Sequence, residues 1–402
     1  MDLFSLGNLY PSDFLKDEEH PRCSPVELLL QWDPTVCAAR LSTMTNTEFM
    51  YGRYWYRSGT NKTMNDELNN IVNSITHIKK LNDGDVWLDI ACNDGTLLKH
   101  VPSNVYRLGV DPADESFQKE AQQHADIVVR DFFSKSAYPE GVNRAKVVTC
   151  VAMFYDLEDP RPFLMDVHEV MDDDGVFVLQ MSYTPLMLEQ VAFDNICHEH
   201  MYYYSLASIN VLLKDCGFKV MDCQLNDTNG GSFRIYAMKQ TGDESTFATQ
   251  PYRDVCRFRR ESIMAHELIS NVNSPEAWMS FFDKIEELKK KTVSFIKEAK
   301  SQGKTVWCYG ASTKGNTLLQ YFGLDNTLID AIAERSPYKF GLRTVGTNIP
   351  IKSEEEMRKA KPDYMLVLPW HFRAEFIERE HEYLSNGGSF IFPCPQFDIV
   401  SL

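Results

Sequence analysis

Short apolar runs alternate with amphipathic segments along most of this chain, and the alternation predicts its secondary structure. Residues 64–80 have apolar side chains at positions 64, 68, 71, 72, 75 and 78, a spacing that predicts one buried face of a helix. From residue 86 onward the apolar runs are nearly continuous, which is typical of parallel strands covered on both faces. The predicted strands are 86–92, 106–111, 126–131, 146–154, 175–183, 218–225 and 233–240, and the predicted helices lie near 113–124, 160–172 and 205–215.

A second strand–helix alternation starts at residue 305 and predicts another α/β unit. Its strands are predicted at 305–310, 328–334, 364–369 and 389–393. The polar segment TGDESTFATQP predicts a linker before this unit, and the charged segment 254–302 predicts one long helix. Residues 1–55 show little periodicity and contain four prolines, so we expect a small, loop-rich module there.

The sequence therefore predicts an α/β protein of three parts. The first part is the module over 1–55, and the second is a Rossmann-like sheet over 56–243. The third part, over 244–402, is a helical linker followed by a second Rossmann-like domain. The last two strands of the middle part lie close together in sequence and predict an antiparallel edge.

Charge and cysteine usage exclude several classes of function. The 402 residues carry a formal net charge of −16, which argues against a general nucleic-acid or membrane-surface binder. Several of the ten cysteines lie inside apolar runs and predict buried, reduced thiols. The sequence shows no secretory signal and no apolar stretch of about 18 residues. We therefore expect a cytoplasmic protein without a membrane or nucleic-acid partner, as a monomer or a weak dimer.

A strand-to-helix turn at the start of the middle domain predicts a nucleoside site. The motif WLDIACNDGTLL places Asp89, Ala91, Asn93 and Gly95 at the carboxyl end of the first strand, where open α/β sheets bind ligands. Gly95 has no Cβ and would let a ligand approach the backbone closely. Asp111 ends the second strand, and an acid at that place can accept both hydroxyls of a ribose.

Acidic residues in this turn favour a cationic nucleoside. The third strand ends in Asp131 and Phe132, which could bind the amino group and the ring face of an adenine. The turn lacks G-x-G-x-x-G, and acids stand where a dinucleotide would need a phosphate cradle. The predicted cofactor is therefore S-adenosylmethionine rather than NAD, with a tight turn that binds no ligand as the alternative.

The segment FDNICHEHMYYYSL contains candidates for proton transfer. His198, Glu199 and His200 are contiguous, so they lack the i, i+4 spacing that puts two imidazoles of a metal site on one helical face, and we predict no metal here. A neutral histidine can instead remove a proton from a carbon next to a carbonyl. Tyrosine hydroxyls or the second imidazole could then stabilise the enolate. The alternative is a set of hydrogen-bonded polar residues in a loop.

A glycine-containing turn in VWCYGASTKGNTLLQYF predicts an anion site in the C-terminal domain. Gly310 and Ser312 lie at a helix start, where backbone N–H groups can face an anion, and Lys314 adds a positive charge that suits a diphosphate. The pattern is not that of a nucleotide-hydrolysing P-loop. Arg335 follows the next strand and is a further candidate for binding the nucleotide. An ordinary capped helix is the alternative.

Seven motifs together resemble the sugar C-methyltransferases of deoxysugar biosynthesis over nearly the whole chain. They are WLDIACNDGTLL, YRSGTNKTM, FDNICHEHMYYYS, NGGSFRIY, YGASTKGNTLLQYFG, SPYKFGLRTVGTNIPI and LVLPWHF. The resemblance implies a small zinc-binding N-terminal module, a central S-adenosylmethionine-dependent domain and a C-terminal domain for the nucleotide-linked sugar. It also implies methyl transfer to a carbon of a 4-keto-deoxysugar that is bound as its nucleoside diphosphate.

The resemblance further implies roles for individual residues. His200 is the implied general base, Glu199 orients the substrate, and Tyr56 contacts the reacting sugar. A glycine-rich turn is implied to face the substrate, although alone it would be an ordinary hairpin turn. The candidate residues of this turn are Asn229, Gly230 and Ser232.

Departures from the family pattern bear on two of these implications. The family often has tyrosine where this chain has Cys197, so a role of that hydroxyl is lost or moved. The family module holds zinc with four cysteines in two C-x-x-C pairs, but residues 1–55 contain only Cys23 and Cys37. We predict no structural zinc, or a site completed by His20 or Asp33. The alternatives to a C-methyltransferase are a NAD-dependent nucleotide-sugar epimerase or reductase, and a non-catalytic sugar-nucleotide-binding scaffold.

Overall fold

A computed structural model describes residues 1–45, 50 and 56–402 of the protein. The strands, in chain order, are β1 (Asp2–Leu9), β2 (Phe14–Leu15), β3 (Val26–Asp33), β4 (Ala38–Leu41), β5 (Val86–Ile90), β6 (Tyr106–Val110), β7 (Ile127–Val129), β8 (Ala145–Val151), β9 (Met171–Ser182), β10 (Tyr202–Tyr203), β11 (Phe218–Asn226), β12 (Ser232–Lys239), β13 (Val306–Tyr309), β14 (Ile332–Glu334), β15 (Arg343–Thr344), β16 (Ile351–Ser353), β17 (Tyr364–Val367), β18 (Ser389–Phe392) and β19 (Asp398–Val400). The helices, in chain order, are α1 (Lys62–Ile78), α2 (Thr96–His100), α3 (Glu115–Ala121), α4 (Pro160–Val170), α5 (Thr184–Glu189), α6 (Leu206–Asp215), α7 (Gln250–Ile269), α8 (Pro275–Ser301), α9 (Thr313–Phe322), α10 (Glu354–Ala360), α11 (Arg373–Arg379) and α12 (His381–Ser385). Within these described ranges, no helix combines the length and the apolar character needed to cross a membrane.

Seven strands form the central sheet in the order β11-β12-β9-β8-β5-β6-β7. Neighbours from β9 through β7 are parallel, whereas β12 is antiparallel to both β9 and β11. Every residue of β5 is buried, and its alternate residues enter two separate hydrophobic cores, with Trp87 in one and Leu88 in the other. Burial on both faces explains why this strand is a continuous apolar run. The prediction of a Rossmann-like sheet is confirmed.

A second sheet of six strands forms the C-terminal domain, in the order β16-β14-β13-β17-β18-β19. Neighbouring strands are parallel except at β19, which is antiparallel to β18. Because β13 and β14 are adjacent and parallel, the turns that follow them lie at the same edge of the sheet, where such folds bind ligands. The prediction of a second Rossmann-like unit is also confirmed.

The N-terminal residues form strands, so the expectation of a loop-rich module is wrong. β1, β3 and β4 make an antiparallel sheet that β10 of the middle part completes. Pro25 directly precedes β3 and Pro34 directly follows it, so these prolines separate strands rather than prevent them. Register shifts in β1, between Asp2 and Phe4 and again after Ser5, interrupt the regular alternation that would have revealed the strand.

The charged segment before the C-terminal domain contains two helices where the sequence predicted one. α7 ends at Ile269 and α8 begins at Pro275. Asn271 takes a left-handed φ of +53°, and the Ser274 hydroxyl caps α8 by accepting the N–H of Ala277 at 3.3 Å. Proline cannot continue a helix that precedes it, but it is favourable in the first turn of a new one.

Contacts between the three parts converge on α9, which packs on the short turn Phe193–Asn195. α9 of the C-terminal domain packs on this turn, and the Phe193 ring stacks on Phe322 with ring centroids 5.1 Å apart. The N-terminal strands are attached to α9 by Gln320, whose side chain accepts the N–H of Tyr10 at 2.8 Å and donates to its carbonyl at 3.0 Å. The segment that follows the turn therefore lies where all three parts meet.

Candidate active site

Three predicted cofactor residues lie at neighbouring strand ends of the central sheet. β5, β6 and β7 are adjacent and parallel, so Asp89, Asp111 and Asp131 are brought to the same edge. The Asp111 carboxylate accepts the backbone N–H of Asn93 and of Ala113, each at 2.8 Å. Asp111 therefore also orders the turn that follows β5.

Asp89 is a desolvated acid at this edge. It is only 3% exposed and accepts the Thr149 hydroxyl at 2.7 Å. Burial raises the pKa of Asp89 to about 7, and the charge of Asp111 raises it further. The hydrogen bond from Thr149 acts in the opposite direction and lowers this pKa. Burial also raises the pKa of Asp111. Two desolvated acids favour a cationic ligand and oppose a pyrophosphate, so the residues present fit S-adenosylmethionine.

The Asn93 side chain binds the backbone of the chain segment that contains Tyr56 and Ser58. Its side-chain oxygen accepts the N–H of Ser58 at 3.1 Å, and its amide nitrogen donates to the Tyr56 carbonyl at 3.1 Å. The adjacent Asp94 accepts the N–H of Gly59 at 2.8 Å. These bonds place Tyr56 beside the turn, an arrangement that the sequence did not indicate because its partners are far apart along the chain.

Backbone geometry explains the two small residues of the turn. Ala91 takes a φ of +59° and donates its N–H to the Val110 carbonyl at 2.8 Å. Gly95 takes a φ of +78°, and a Cβ at this position would lie 2.7 Å from the Cα of Ala121 in α3. The expectation that Gly95 makes room for a ligand is therefore corrected, because the space it leaves is taken by α3.

We expect Gly95→Ala to lower the free energy of unfolding by about 2–4 kcal/mol, because it adds overlap with α3 to an unfavourable φ. Gly84→Ala is the matched control, since Gly84 has the same φ of +78° but no atom within 4 Å of the position that a Cβ would take. The control is expected to lower the free energy of unfolding by about 1–2 kcal/mol, which is the effect of the φ alone. Urea unfolding measures both, and equal losses would contradict the packing explanation.

Asp131 and Phe132 lie after β7 at the exposed end of the edge. The Asp131 carboxylate accepts the N–H of Phe132 at 2.8 Å, and Phe132 is 52% exposed. An exposed aromatic side chain beside an acid is compatible with adenine binding. Their contact with the cofactor stays a prediction.

His200 lies in a tight turn of residues 193–205, which we call the catalytic segment. The backbone N–H of His200 donates to the Cys197 carbonyl at 3.1 Å. On its imidazole ring, Nδ1 lies 2.7 Å from the Asn195 carbonyl oxygen. A carbonyl only accepts, so Nδ1 carries the proton and Nε2 keeps its lone pair. The Tyr155 ring packs on the imidazole with centroids 4.2 Å apart. Burial, aided by the charge of Lys314, lowers the pKa of His200 to about 3, so the ring is neutral at neutral pH.

His198 points to the N-terminal sheet, away from His200. Its Nε2 lies 3.0 Å from the Val26 carbonyl oxygen, and its ring also meets the backbone of Leu9. The side chain is buried there. The expected catalytic role of His198 is therefore not supported, because docking of the N-terminal strands gives this imidazole a structural partner.

Lys314 lies beside the catalytic segment, a position that its place in the glycine-containing turn did not reveal. Its charge acts on Asp194, Cys197 and His200, and no hydrogen bond or ion pair to its ammonium group is found within residues 1–45, 50 and 56–402. Burial lowers the pKa of Lys314, whereas Asp194 raises it. Because α9 packs on the turn Phe193–Asn195, Lys314 lies near His200, and its predicted binding of a diphosphate stays a prediction.

Asp194 is a functional candidate that the sequence analysis missed. It is buried, and its Oδ2 accepts the Trp370 indole N–H at 3.2 Å. Its Oδ1 has no hydrogen-bond partner in the described part of the chain. Burial raises the pKa of Asp194, and the nearby Lys314 charge lowers it. An acid inside the apolar run VAFDNIC was the available signal.

The glycine-rich turn between β11 and β12 packs on the C-terminal domain. Asn229 takes a φ of +54°, and a Cβ on Gly230 would lie 3.4 Å from the Cβ of His371. The Ser232 hydroxyl donates to the Thr228 carbonyl at 2.9 Å. Ser232 therefore closes its own hairpin, and its contact with the substrate stays a prediction. Gly230 thus lies against the C-terminal domain, and the contact of Asn229 and Gly230 with the substrate stays a prediction.

The turn after β13 also serves packing and capping. Gly310 takes a φ of +83°, and a Cβ there would lie 2.6 Å from the Pro369 side chain. The Ser312 hydroxyl accepts the N–H of Gly315 at 3.0 Å and caps α9. The turn is therefore compatible with the predicted anion site and also with the alternative, an ordinary capped helix.

Glu334 at the end of β14 repeats the arrangement of Asp111. Its carboxylate accepts the N–H of Ala311 at 2.7 Å, and the N–H groups of Arg335 and Ser336 at 2.8 Å each. In both sheets an acid at the end of the second strand thus bonds the turn after the first. Arg335 itself extends outward, with its side chain mostly exposed.

A cavity of about 580 Å³ connects the catalytic segment with the C-terminal turn. Glu199 and Tyr56 line one side, and residues 310–313 line the other. Burial raises the pKa of Glu199 to about 7, and desolvation with the charge of Asp94 raises the pKa of Tyr56 to about 12. The cations that line the cavity are Lys62, Arg335, Lys339 and Arg379. Two predicted catalytic residues, Glu199 and Tyr56, therefore share one interdomain space with the predicted nucleotide-binding residues Gly310, Ser312 and Arg335.

Residues 1–45 and 50 contain no group of three or more metal-binding side chains with donor atoms within 4.8 Å of one another, and the absence of structural zinc stays a prediction. Cys37 is exposed, with its thiol 3.7 Å from the Pro34 carbonyl, and Cys23 is half-buried beside Arg22. Asp33 already accepts hydrogen bonds from Thr35 and the Tyr202 hydroxyl, and His20 is exposed. Two thiols without nearby further ligands do not fit a tetrahedral site.

Comparison with known proteins covers both large domains. Residues 57–222 match the family model of a methyltransferase domain, and residues 227–395 match the model of the C-methyltransferase C-terminal domain. The whole chain is 27% identical to the C-methyltransferase NovU of Streptomyces niveus, of which the match covers 94%.

Two similar solved structures each cover less than half of the chain. The complex of the Haloferax volcanii Trm112 methyltransferase activator with a putative methyltransferase is 14% identical, with 45% of this chain and 94% of that chain covered and a TM-score of 0.37. Magnesium protoporphyrin IX methyltransferase of Synechocystis PCC 6803 with bound SAH is 16% identical, with 47% and 90% covered and a TM-score of 0.35.

The seven-stranded sheet, the acids at its edge and the matched domains define an S-adenosylmethionine-dependent methyltransferase. The two domain matches and the similarity to NovU show an S-adenosylmethionine-dependent C-methyltransferase, in agreement with the resemblance found in the sequence motifs. Neither alternative, the NAD-dependent enzyme or the non-catalytic scaffold, is supported by these matches.

Proposed function

We propose that this C-methyltransferase transfers a methyl group to the carbon next to the keto group of a nucleotide-linked 4-keto-deoxysugar. The observation that carries the proposal is the neutral His200 imidazole, whose Nδ1–H is held by the Asn195 carbonyl and which directly follows Glu199, a residue that lines the interdomain cavity. S-adenosylmethionine, when bound, supplies an electrophilic methyl group. Asp89 and Asp111 suit its positive charge.

His200 is the proposed general base. Its Nε2 accepts the proton from C3 of the sugar, and the electron pair of the C–H bond forms an enolate with the C4 carbonyl. The enolate carbon then forms the new C–C bond as the methyl–sulfur bond breaks. A positioned base contributes roughly 10²–10⁴ in rate, so the enolate oxygen needs stabilisation of its own.

Lys314 is the proposed partner of the enolate oxygen. Its ammonium group lies close enough to act on His200 and Asp194, yet it has no hydrogen-bond partner within the described residues. A desolvated ammonium group without a hydrogen-bond partner is unfavourable even near the charge of Asp194, and an oxyanion beside it would relieve that cost. The protonated phenol of Tyr56 lines the same cavity and is a further donor toward the sugar.

The nucleoside diphosphate is proposed to bind at the C-terminal end of the cavity. Backbone N–H groups at the start of α9, together with Lys339 and Arg379, suit a diphosphate despite the acidic chain as a whole. Glu334, like Asp111, lies at the end of a strand and accepts a backbone N–H of the neighbouring turn. We propose that its carboxylate binds the ribose hydroxyls of the nucleotide.

The proposal is tested with methyl-labelled S-adenosylmethionine and a panel of nucleotide-linked sugars. We expect label and a mass gain of one methylene in 4-keto-deoxysugars, and none in the matched 4-hydroxy sugars, because only a carbonyl acidifies the neighbouring C–H. Transfer to the 4-hydroxy sugars, or binding of S-adenosylmethionine without transfer to any keto-sugar of the panel, would count against it.

A further inference from the structure

Three different metal-binding side chains meet in the catalytic segment. The donor atoms of Cys197, Glu199 and His200, a sulfur, a carboxylate oxygen and an imidazole nitrogen, lie within 4.8 Å of one another. Within the residues that the structure describes, no other group of three or more such side chains comes this close. Zinc binds these donors at about 2.0–2.3 Å, so small side-chain movements would bring all three onto one ion.

The local fold explains why the sequence argued against a metal. The contiguous H-E-H pattern drew attention to two imidazoles, but His198 bonds the Val26 carbonyl and faces the N-terminal sheet. The hydrogen bond from the His200 N–H to the Cys197 carbonyl closes a tight turn that brings positions 197 and 200 together. The side chain that joins His200 and Glu199 as a possible metal ligand is therefore Cys197 and not His198.

The orientation of His200 matches that of a metal ligand. Its Nδ1 donates to the Asn195 carbonyl at 2.7 Å, which leaves the Nε2 lone pair for an ion. Histidine ligands in proteins almost always have their second nitrogen bonded to a carbonyl or carboxylate in this way. Glu199 lines the 580 Å³ cavity, so an ion can enter and water can fill the fourth position.

We propose that Cys197, Glu199 and His200 bind a divalent cation of the zinc type, and that the ion inhibits the enzyme by occupying Nε2 of His200. The inhibition rests on the proposed function, whereas the binding does not. The ammonium group of Lys314 acts on both Cys197 and His200 and repels a dication. The site is therefore weaker than a closed structural zinc site, as expected for an ion that is exchanged rather than retained.

Cobalt(II) is the probe for binding, because a thiolate ligand gives it an intense near-ultraviolet charge-transfer band. Metal-free full-length protein is titrated with Co²⁺, and Zn²⁺ is then added to displace it. We expect the band in the wild type and its loss in Cys197→Ser. Cys23→Ser/Cys37→Ser is the matched control for the other candidate thiols and should keep the band.

Two further measurements keep the test decisive. Calorimetric binding of S-adenosylmethionine checks that each variant is folded, and Glu199→Gln should weaken Co²⁺ binding while keeping the thiolate band at high metal. No band in the wild type, or loss of the band only in Cys23→Ser/Cys37→Ser, would overturn the site.

Inhibition is measured as methyl transfer with and without Zn²⁺, followed by a chelator. We expect loss of turnover that the chelator reverses, with S-adenosylmethionine still bound. Cobalt binding without inhibition by zinc would overturn the inhibitory role and would also speak against His200 as the base. Failure of methyl transfer to every sugar, with an intact cobalt band, would concern the proposed function alone.

Discussion

His200→Asn is expected to reduce methyl transfer by roughly 10²–10⁴-fold while leaving S-adenosylmethionine binding unchanged. The asparagine amide can still donate to the Asn195 carbonyl that now holds Nδ1, so the turn should persist without its base. The measurements are the rate of methyl transfer and the exchange of the sugar C3 proton with D₂O, followed by NMR. His266→Asn is the matched control, because His266 is exposed on α7.

Two outcomes of this experiment would contradict the assignment. One is proton exchange at the wild-type rate, and the other is a loss of S-adenosylmethionine binding that equals the loss of turnover. The pH profile gives a separate check. Because the pKa of His200 is about 3, its protonation cannot lower the rate near pH 6.5, where an ordinary histidine titrates. Glu199 and Asp89 both have a pKa of about 7, so either could cause a fall in rate near pH 7, and the part that belongs to Glu199 should vanish in Glu199→Gln.

Lys314→Met is expected to lower kcat by about 10²–10³-fold, the usual cost of removing one preorganised donor to an oxyanion. The reason is that the enolate oxygen would lose the cation that lies beside His200. KM for the sugar should change much less than kcat, because the charge develops in the transition state and not in the bound ketone. Lys314→Arg keeps a positive charge and should restore part of the rate.

The control for Lys314 is Lys297→Met, which removes an exposed lysine from α8. A larger rise in KM than fall in kcat would return Lys314 to the diphosphate-binding role predicted from the sequence. Lys314 makes no hydrogen bond within the described residues that its replacement would break, so we expect the variant to stay folded. Unfolding curves for both variants measure any loss of structure.

Much of the fold was predictable because buried parallel strands have a distinctive composition. Alternate residues of β5 enter different cores, so the strand is apolar throughout and could be recognised without any partner. The six apolar positions of α1 are all buried, as their helical spacing predicted. β1 escaped detection because its register shifts break the alternation on which such recognition depends.

The cofactor edge was predictable for a related reason. In a parallel sheet, the turns after adjacent strands meet at one edge whatever the rest of the chain does. Asp89 and Asp111 therefore could be placed together from strand order and spacing alone. The role of Gly95 could not, because the requirement for glycine comes from Ala121 of a helix that packs against it.

The sequence by itself determined the two Rossmann-like sheets, the acidic edge and the segment that contains the candidate base. Only the tertiary structure decided that His198 bonds the N-terminal sheet while His200 keeps its Nε2 free, and that Lys314 comes from another domain to lie near His200. The physical reason is the range of the interactions. Strand burial and turn chemistry act between residues close in sequence, whereas the directions of these side chains depend on carbonyls, helices and charges brought together by the docking of separate domains.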